Sequence, residues 1–256
     1  MRFLQYYIGL WMGFILWSTP VSMAQDDVQI TRTGAFTHEA VLRDTVTPVI
    51  LKSLSQIYGP DQHMSWNIYV PPDYNPQNPP GVLVYISPSK ESYSPRGWQK
   101  VISDHNYIFI SANGAGNKVP ANRRMANAVL AVDYIEKTYV TDKSRTVISG
   151  FSGGAAVSSI IVETVPDIFE AAIFMGGASK WQGDRAAIHP KLENGAYVFI
   201  TGHDDFERAR RVIRTTYRQY KEAGVSRLKL IDKRNMGHEL PKSKIFRQAL
   251  DFIAQP

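Results

Sequence analysis

Gly150-Phe151-Ser152-Gly153-Gly154 matches the pattern G-x-S-x-G, in which a serine sits on a sharp turn between a strand and a helix. The serine in such a turn takes a strained backbone conformation, and the residues two before and two after it pack too closely to carry side chains. Gly150 and Gly154 fill both places. A serine hydroxyl is a poor nucleophile until an imidazole takes its proton, and a carboxylate must hold the imidazole's other nitrogen. Asp205 and His238 follow in the chain, which gives the order Ser152, Asp205, His238 and makes acyl transfer through Ser152 the chemistry to expect. Gly153 places a backbone N–H where an oxyanion would develop.

The bare pentapeptide also describes a glycine-rich turn that cradles a phosphate, so the flanking elements decide. Thr146, Val147 and Ile148 are β-branched and bounded by polar residues, which predicts a short buried strand. A helix is predicted over Ala155–Thr164, stopped by Pro166.

The acid and the base must come from neighbouring strands of the same sheet. Continuous apolar runs predict buried strands at Val82–Ile86, Tyr107–Ile110, Ala171–Phe174, Tyr197–Ile200 and Leu228–Ile231. Helical patterns lie between them at Met125–Thr138, Arg208–Ala223 and Lys242–Ile253. Upstream, shorter strands are expected around Ile30–Thr33, Ala40–Leu42 and Trp66–Val70. This alternation argues for an α/β domain with a mostly parallel sheet and helices on both faces, whose ligands bind at the carboxyl ends of the strands. The loops after Ile200 and Ile231 carry Thr201-Gly202-His203-Asp204-Asp205-Phe206 and Asp232 through Pro241, with His238 inside the second. Asp205, three residues past Gly202, fits the acid best. Asp204 is the alternative and Asp232 a third. His203 is read as shaping its loop, while His38, His63, His105 and His189 fall where this topology offers no catalytic place.

Arg2 is the only charge before Asp26, and it is followed by an apolar segment from Tyr6 to Trp17 and by Ser22-Met23-Ala24. That is the layout of a signal peptide over residues 1–24, cleaved after Ala24, and the apolar segment is short for a bilayer span. Residues 25–256 are then one domain that is periplasmic or secreted and keeps no stable membrane anchor. No cysteine occurs, which rules out disulfides, thiolate metal sites and a cysteine nucleophile. The net charge of +6 is scattered. Its one concentration, Arg208, Arg210, Arg211, Arg214 and Arg218, has helical spacing and reads as a solvated helix face and not a nucleic-acid site.

Ile148 to Gly154, Gly202 to Phe206 and Met236 to Pro241 together resemble the α/β-hydrolases, and more narrowly secreted esterases of the polyhydroxybutyrate-depolymerase and feruloyl-esterase type. The resemblance runs from about Trp66 to Ile253 and implies ester hydrolysis through an acyl-serine without metal or organic cofactor. Many such proteins carry His-Gly after the strand equivalent to Val82–Ile86, where a backbone N–H completes the oxyanion hole. This chain has Ser87-Pro88-Ser89 there. Pro88 has no N–H to give, so the second donor is expected from Ser87 or Ser89, by backbone or hydroxyl.

Between Phe174 and Tyr197 there is too little chain for a large cap domain. An open cleft is expected instead, with Trp181 and Trp98 as aromatic walls or as ordinary packing residues, suited to a bulky or polymeric ester. A peptidase using the same residues, and a non-catalytic binding protein that keeps the fold, are the other two readings.

Overall fold

The computed structural model describes residues 32–181 and 188–255. Residues 1–24, read above as a signal peptide, lie outside them.

The eight strands of the described residues form a single sheet, and what the chain supplies at each position in it follows from coverage. At one edge lies β1 (Gly34–Val41), antiparallel to β2 (His63–Val70). Side chains along β1 alternate between exposed and half-buried, as expected of an edge strand with one solvated face. Inside β2 lie β3 (Gly81–Ile86), β4 (Tyr107–Ala112), β5 (Thr146–Phe151), β6 (Ala171–Met175) and β7 (Ala196–Gly202). They are buried almost throughout, which requires apolar side chains on both faces. β8 (Arg227–Lys233) closes the far edge. The order is β1-β2-β4-β3-β5-β6-β7-β8, parallel from β4 onward.

Helices cover both faces. α4 (Ala121–Thr138), α5 (Gly153–Thr164) and α7 (Glu207–Glu222) pack against a core containing Val82, Val84, Ile148, Phe174 and Phe199. α3 (Arg96–Asp104) and α8 (Ser243–Ile253) cover the other face over Leu83, Tyr85, Phe109 and Ile173. Short helices α1 (Leu42–Thr45), α2 (Pro48–Ser53) and α6 (Pro190–Asn194) fill connections.

The expected parallel strands and long helices stand within a few residues of their predicted bounds. The N-terminal region differs: a strand over Gly34–Val41 takes in most of the one expected around Ala40–Leu42, while of the one expected around Ile30–Thr33 only Arg32 and Thr33 are described, outside any strand, and Ile30 and Thr31 lie outside the described residues. Pairing along the whole length of β2 fixes Gly34–Val41 as one element. α3 was not expected. Trp98, Val101 and Ile102 give it an apolar face of i, i+3, i+4 spacing, brief enough to be lost between Pro95 and the next strand.

From β3 the chain goes to β4 on one side, then crosses to β5 on the other. The carboxyl ends of β3 and β5 therefore border the crevice where the winding reverses, the place such sheets bind ligands.

Candidate active site

Ser152 stands between β5 and α5 with φ +53° and ψ −120°, a conformation an L residue adopts only when its surroundings impose it. The imposition is visible. A Cβ on Gly150 would lie 2.5 Å from the backbone of Gly154, and one on Gly154 would lie 1.9 Å from the Ile86 carbonyl oxygen. The turn is thus pressed against its own helix and against the end of β3. The Ser152 N–H donates to the Met175 carbonyl at 2.8 Å. Gly153 opens α5, so its N–H has no partner within the helix.

His238 lies on the loop between β8 and α8, and Asp205 on the loop between β7 and α7. Nε2 of His238 is 2.9 Å from the Ser152 hydroxyl, and its Nδ1 is 2.7 Å from Oδ1 of Asp205. An ionised carboxylate only accepts, so Nδ1 carries the proton and the Nε2 lone pair faces the serine. The Asp205 side chain is wholly buried and its Oδ1 also accepts the Phe206 N–H at 2.6 Å. The His238 ring lies between Phe151 and Phe206, at centroid distances of 4.9 and 5.0 Å.

The two loops meet because Gly202 lets them. A Cβ there would sit 1.8 Å from the Met236 carbonyl oxygen, so close approach, more than turning, is what this glycine serves. Asp204 is exposed, its N–H donating to Met236. Asp232 pairs with Arg214 and stands 3.3 Å from Nε2 of His203. Of the three acids considered, only Asp205 reaches His238.

The oxyanion side departs from expectation in part. The Ser89 N–H donates to the Ser87 hydroxyl at 3.0 Å, which withdraws that backbone donor and occupies that hydroxyl as an acceptor. The Ser87 carbonyl accepts from the Arg124 guanidinium at 3.0 Å. Arg124 is buried and has no carboxylate partner among the described residues, and burial lowers its pKa.

The two tryptophans do not form cleft walls. Trp98 is buried, stacks on Phe246 at 3.9 Å and donates its indole N–H to the Pro241 carbonyl at 2.9 Å. It joins α3 to α8. Trp181 is buried edge-on to Tyr220 at 4.8 Å. The aromatic ring exposed beside the histidine is Phe206, 67% accessible.

Sequence reasoning did not single out Arg124 or Asn117. A Cβ on Gly153 would fall 2.2 Å from Oδ1 of Asn117. Neither carries a motif signal: Asn117 meets the elbow only through the folding of the β4–α4 connection, and Arg124 meets the loop after β3 only through the packing of α4. Among the described residues no group of histidine and carboxylate side chains is arranged to hold a metal ion.

A mostly parallel eight-stranded sheet, helices on both faces and a serine elbow at the end of its fifth strand define an α/β-hydrolase. The chain belongs to the prolyl oligopeptidase family, whose profile matches residues 99–242. A ferulic acid esterase is similar in structure over 87% of this chain and 98% of its own, at 16% identity and a TM-score of 0.62. An esterase from Thermogutta terrifontis is similar over 75% of this chain and 85% of its own, at 16% identity and a TM-score of 0.54. Porphyromonas gingivalis dipeptidyl peptidase 4 is similar over 75% of this chain and 33% of its own, at 14% identity and a TM-score of 0.59. The chain spans about a third of the length of the dipeptidyl peptidase structures it matches. At these identities the likeness is one of fold. None of the curated proteins matches the sequence.

Proposed function

We propose that the protein hydrolyses carboxylic esters through an acyl-serine formed on Ser152. The observation that carries this is the continuous hydrogen-bond line from the Ser152 hydroxyl through His238 to the buried Asp205. In acylation the Ser152 oxygen attacks the ester carbonyl carbon while its proton passes to Nε2 of His238. The carbonyl oxygen becomes an oxyanion facing the Gly153 N–H. Collapse breaks the bond to the alcohol oxygen, which leaves with the proton held by His238. Water then attacks the acyl carbon, gives its proton to His238, and releases the acid and free Ser152. Asp205 stabilises the imidazolium that forms in both halves.

Esters are chemically the easier substrate for this machinery, because an ester carbonyl is less stabilised by resonance than an amide and its protonated alcohol departs readily. The near-complete overlap with the ferulic acid esterase chain supports the same reading. The family match favours a peptidase as the second reading. A panel of p-nitrophenyl esters and aminoacyl anilides separates the two. Ester turnover exceeding anilide turnover by orders of magnitude supports the proposal, and the reverse order replaces it with the peptidase. The exposed Phe206 beside His238 suits an aromatic or bulky ester, and the signal-like composition of residues 1–24 supports a substrate met outside the cytoplasm.

A further inference from the structure

The acyl-transfer reading requires a second oxyanion donor opposite the Gly153 N–H, and the loop after β3 has spent most of its candidates. Pro88 has no N–H, and the Ser89 N–H is bonded to the Ser87 hydroxyl. We propose that the side-chain amide of Asn117 is that donor, making Asn117 a catalytic residue; the inference rests on the proposed acyl-serine chemistry.

Asn117 spans the two walls of the crevice. Its backbone N–H donates to the Pro88 carbonyl at 2.9 Å, which fixes it to the loop after β3. Its side chain lies over the elbow: a Cβ on Gly153 would meet Oδ1, Cγ and Nδ2 of Asn117 at 2.2, 2.8 and 3.1 Å. The residue before it is held as tightly, since a Cβ on Gly116 would lie 2.8 Å from the Ser89 backbone. Asn117 is exposed, and among the described residues its amide makes no hydrogen bond. An amide held by its backbone but unpaired at its tip is free to turn about its last bond and present N–H where negative charge develops. Gly153 matters twice in this arrangement, once for its N–H and once because any side chain there would push the amide away.

The test uses the mature chain with p-nitrophenyl acetate as substrate, a trifluoromethyl ketone as oxyanion mimic and a fluorophosphonate probe. Asn117→Ala should lower kcat by ~10²–10³-fold, the usual loss for one oxyanion donor, with KM changed less than about threefold. The Ki of the trifluoromethyl ketone should rise by the same factor as kcat falls. Asn117→Asp, nearly isosteric but without a donor, should fall at least as far as Asn117→Ala. Both variants should melt with the wild type, because the side chain is exposed. Wild-type rates in Asn117→Ala, or losses confined to KM or thermal stability, overturn the inference and leave the donor to a backbone group such as the Ser87 N–H. If the wild type neither hydrolyses the ester nor takes the probe, the acyl-serine reading itself falls, a result distinct from an active wild type with an indifferent Asn117.

Discussion

Replacing Asp205 by Asn tests the electrostatic core of the site against its nearest rival, Asp204. The Asp205 side chain is wholly buried and 2.7 Å from Nδ1 of His238. When His238 takes the serine proton, an ion pair forms with its charge centres roughly 4 Å apart. At an effective dielectric constant of about 20, that attraction is worth about 4 kcal/mol, or ~10³-fold in rate. Asparagine removes it. Should the amide nitrogen take the place of Oδ1, the histidine tautomer also inverts, a change that cost ~10⁴-fold in a well-studied protease. Asp205→Asn is therefore expected to lose ~10³–10⁴-fold in kcat/KM on one activated ester. Asp204→Asn, exposed and tied in through its backbone, should lose less than about tenfold, or ~1.4 kcal/mol. The assay compares the two single variants at one pH, with circular dichroism to check folding. An inactive Asp204→Asn, or an Asp205→Asn within tenfold of wild type, refutes the reasoning.

Two further outcomes follow from particular surroundings in the fold and one from the N-terminal sequence. Gly202→Ala sets a Cβ 1.8 Å from the Met236 carbonyl oxygen, so it should destabilise by about 1–3 kcal/mol and lower kcat/KM by ~10²-fold through displaced loops. Gly59→Ala, with nothing near its added Cβ, is the neutral control in the same urea titration and assay. Burial first, and the Arg32 charge second, lower the pKa of His38 from its ordinary 6.5. The unfolded chain therefore binds that proton more readily, and stability present above pH 6.5 is lost as pH falls through the lower folded value. Thermal melts of wild type and His38→Gln between pH 7.5 and 5 should show a smaller acid loss in the variant; equal slopes count against the burial argument. N-terminal sequencing of the exported protein should begin at Gln25, whereas a membrane-held protein that keeps Met1 contradicts the proposed cleavage.

Much of the fold was legible because the central strands must be apolar on both faces, and Val82–Ile86, Tyr107–Ile110 and Tyr197–Ile200 can be little else. The N-terminal strand was not: with one face solvated, Gly34–Val41 carries Thr37, His38 and Glu39 and gives no run to read. The elbow was legible because steric demand writes glycine at fixed offsets, and Gly202 marked the acid's loop for the same reason. Trp98 misled, since a tryptophan in sequence does not say whether its ring meets solvent or, as here, Phe246. Asn117 and Arg124 could not be found, because one depends on the β4–α4 connection closing over the elbow and the other on α4 packing against the loop after β3, and no local pattern encodes either meeting.

The central claim is that Ser152 is the nucleophile. The direct measurement is intact-protein and peptide mass spectrometry after treatment with a fluorophosphonate. The account predicts one adduct per chain, located on Ser152, absent in Ser152→Ala, and formed at a rate that esters slow by competition. An adduct on any other residue, or labelling that survives Ser152→Ala, contradicts it.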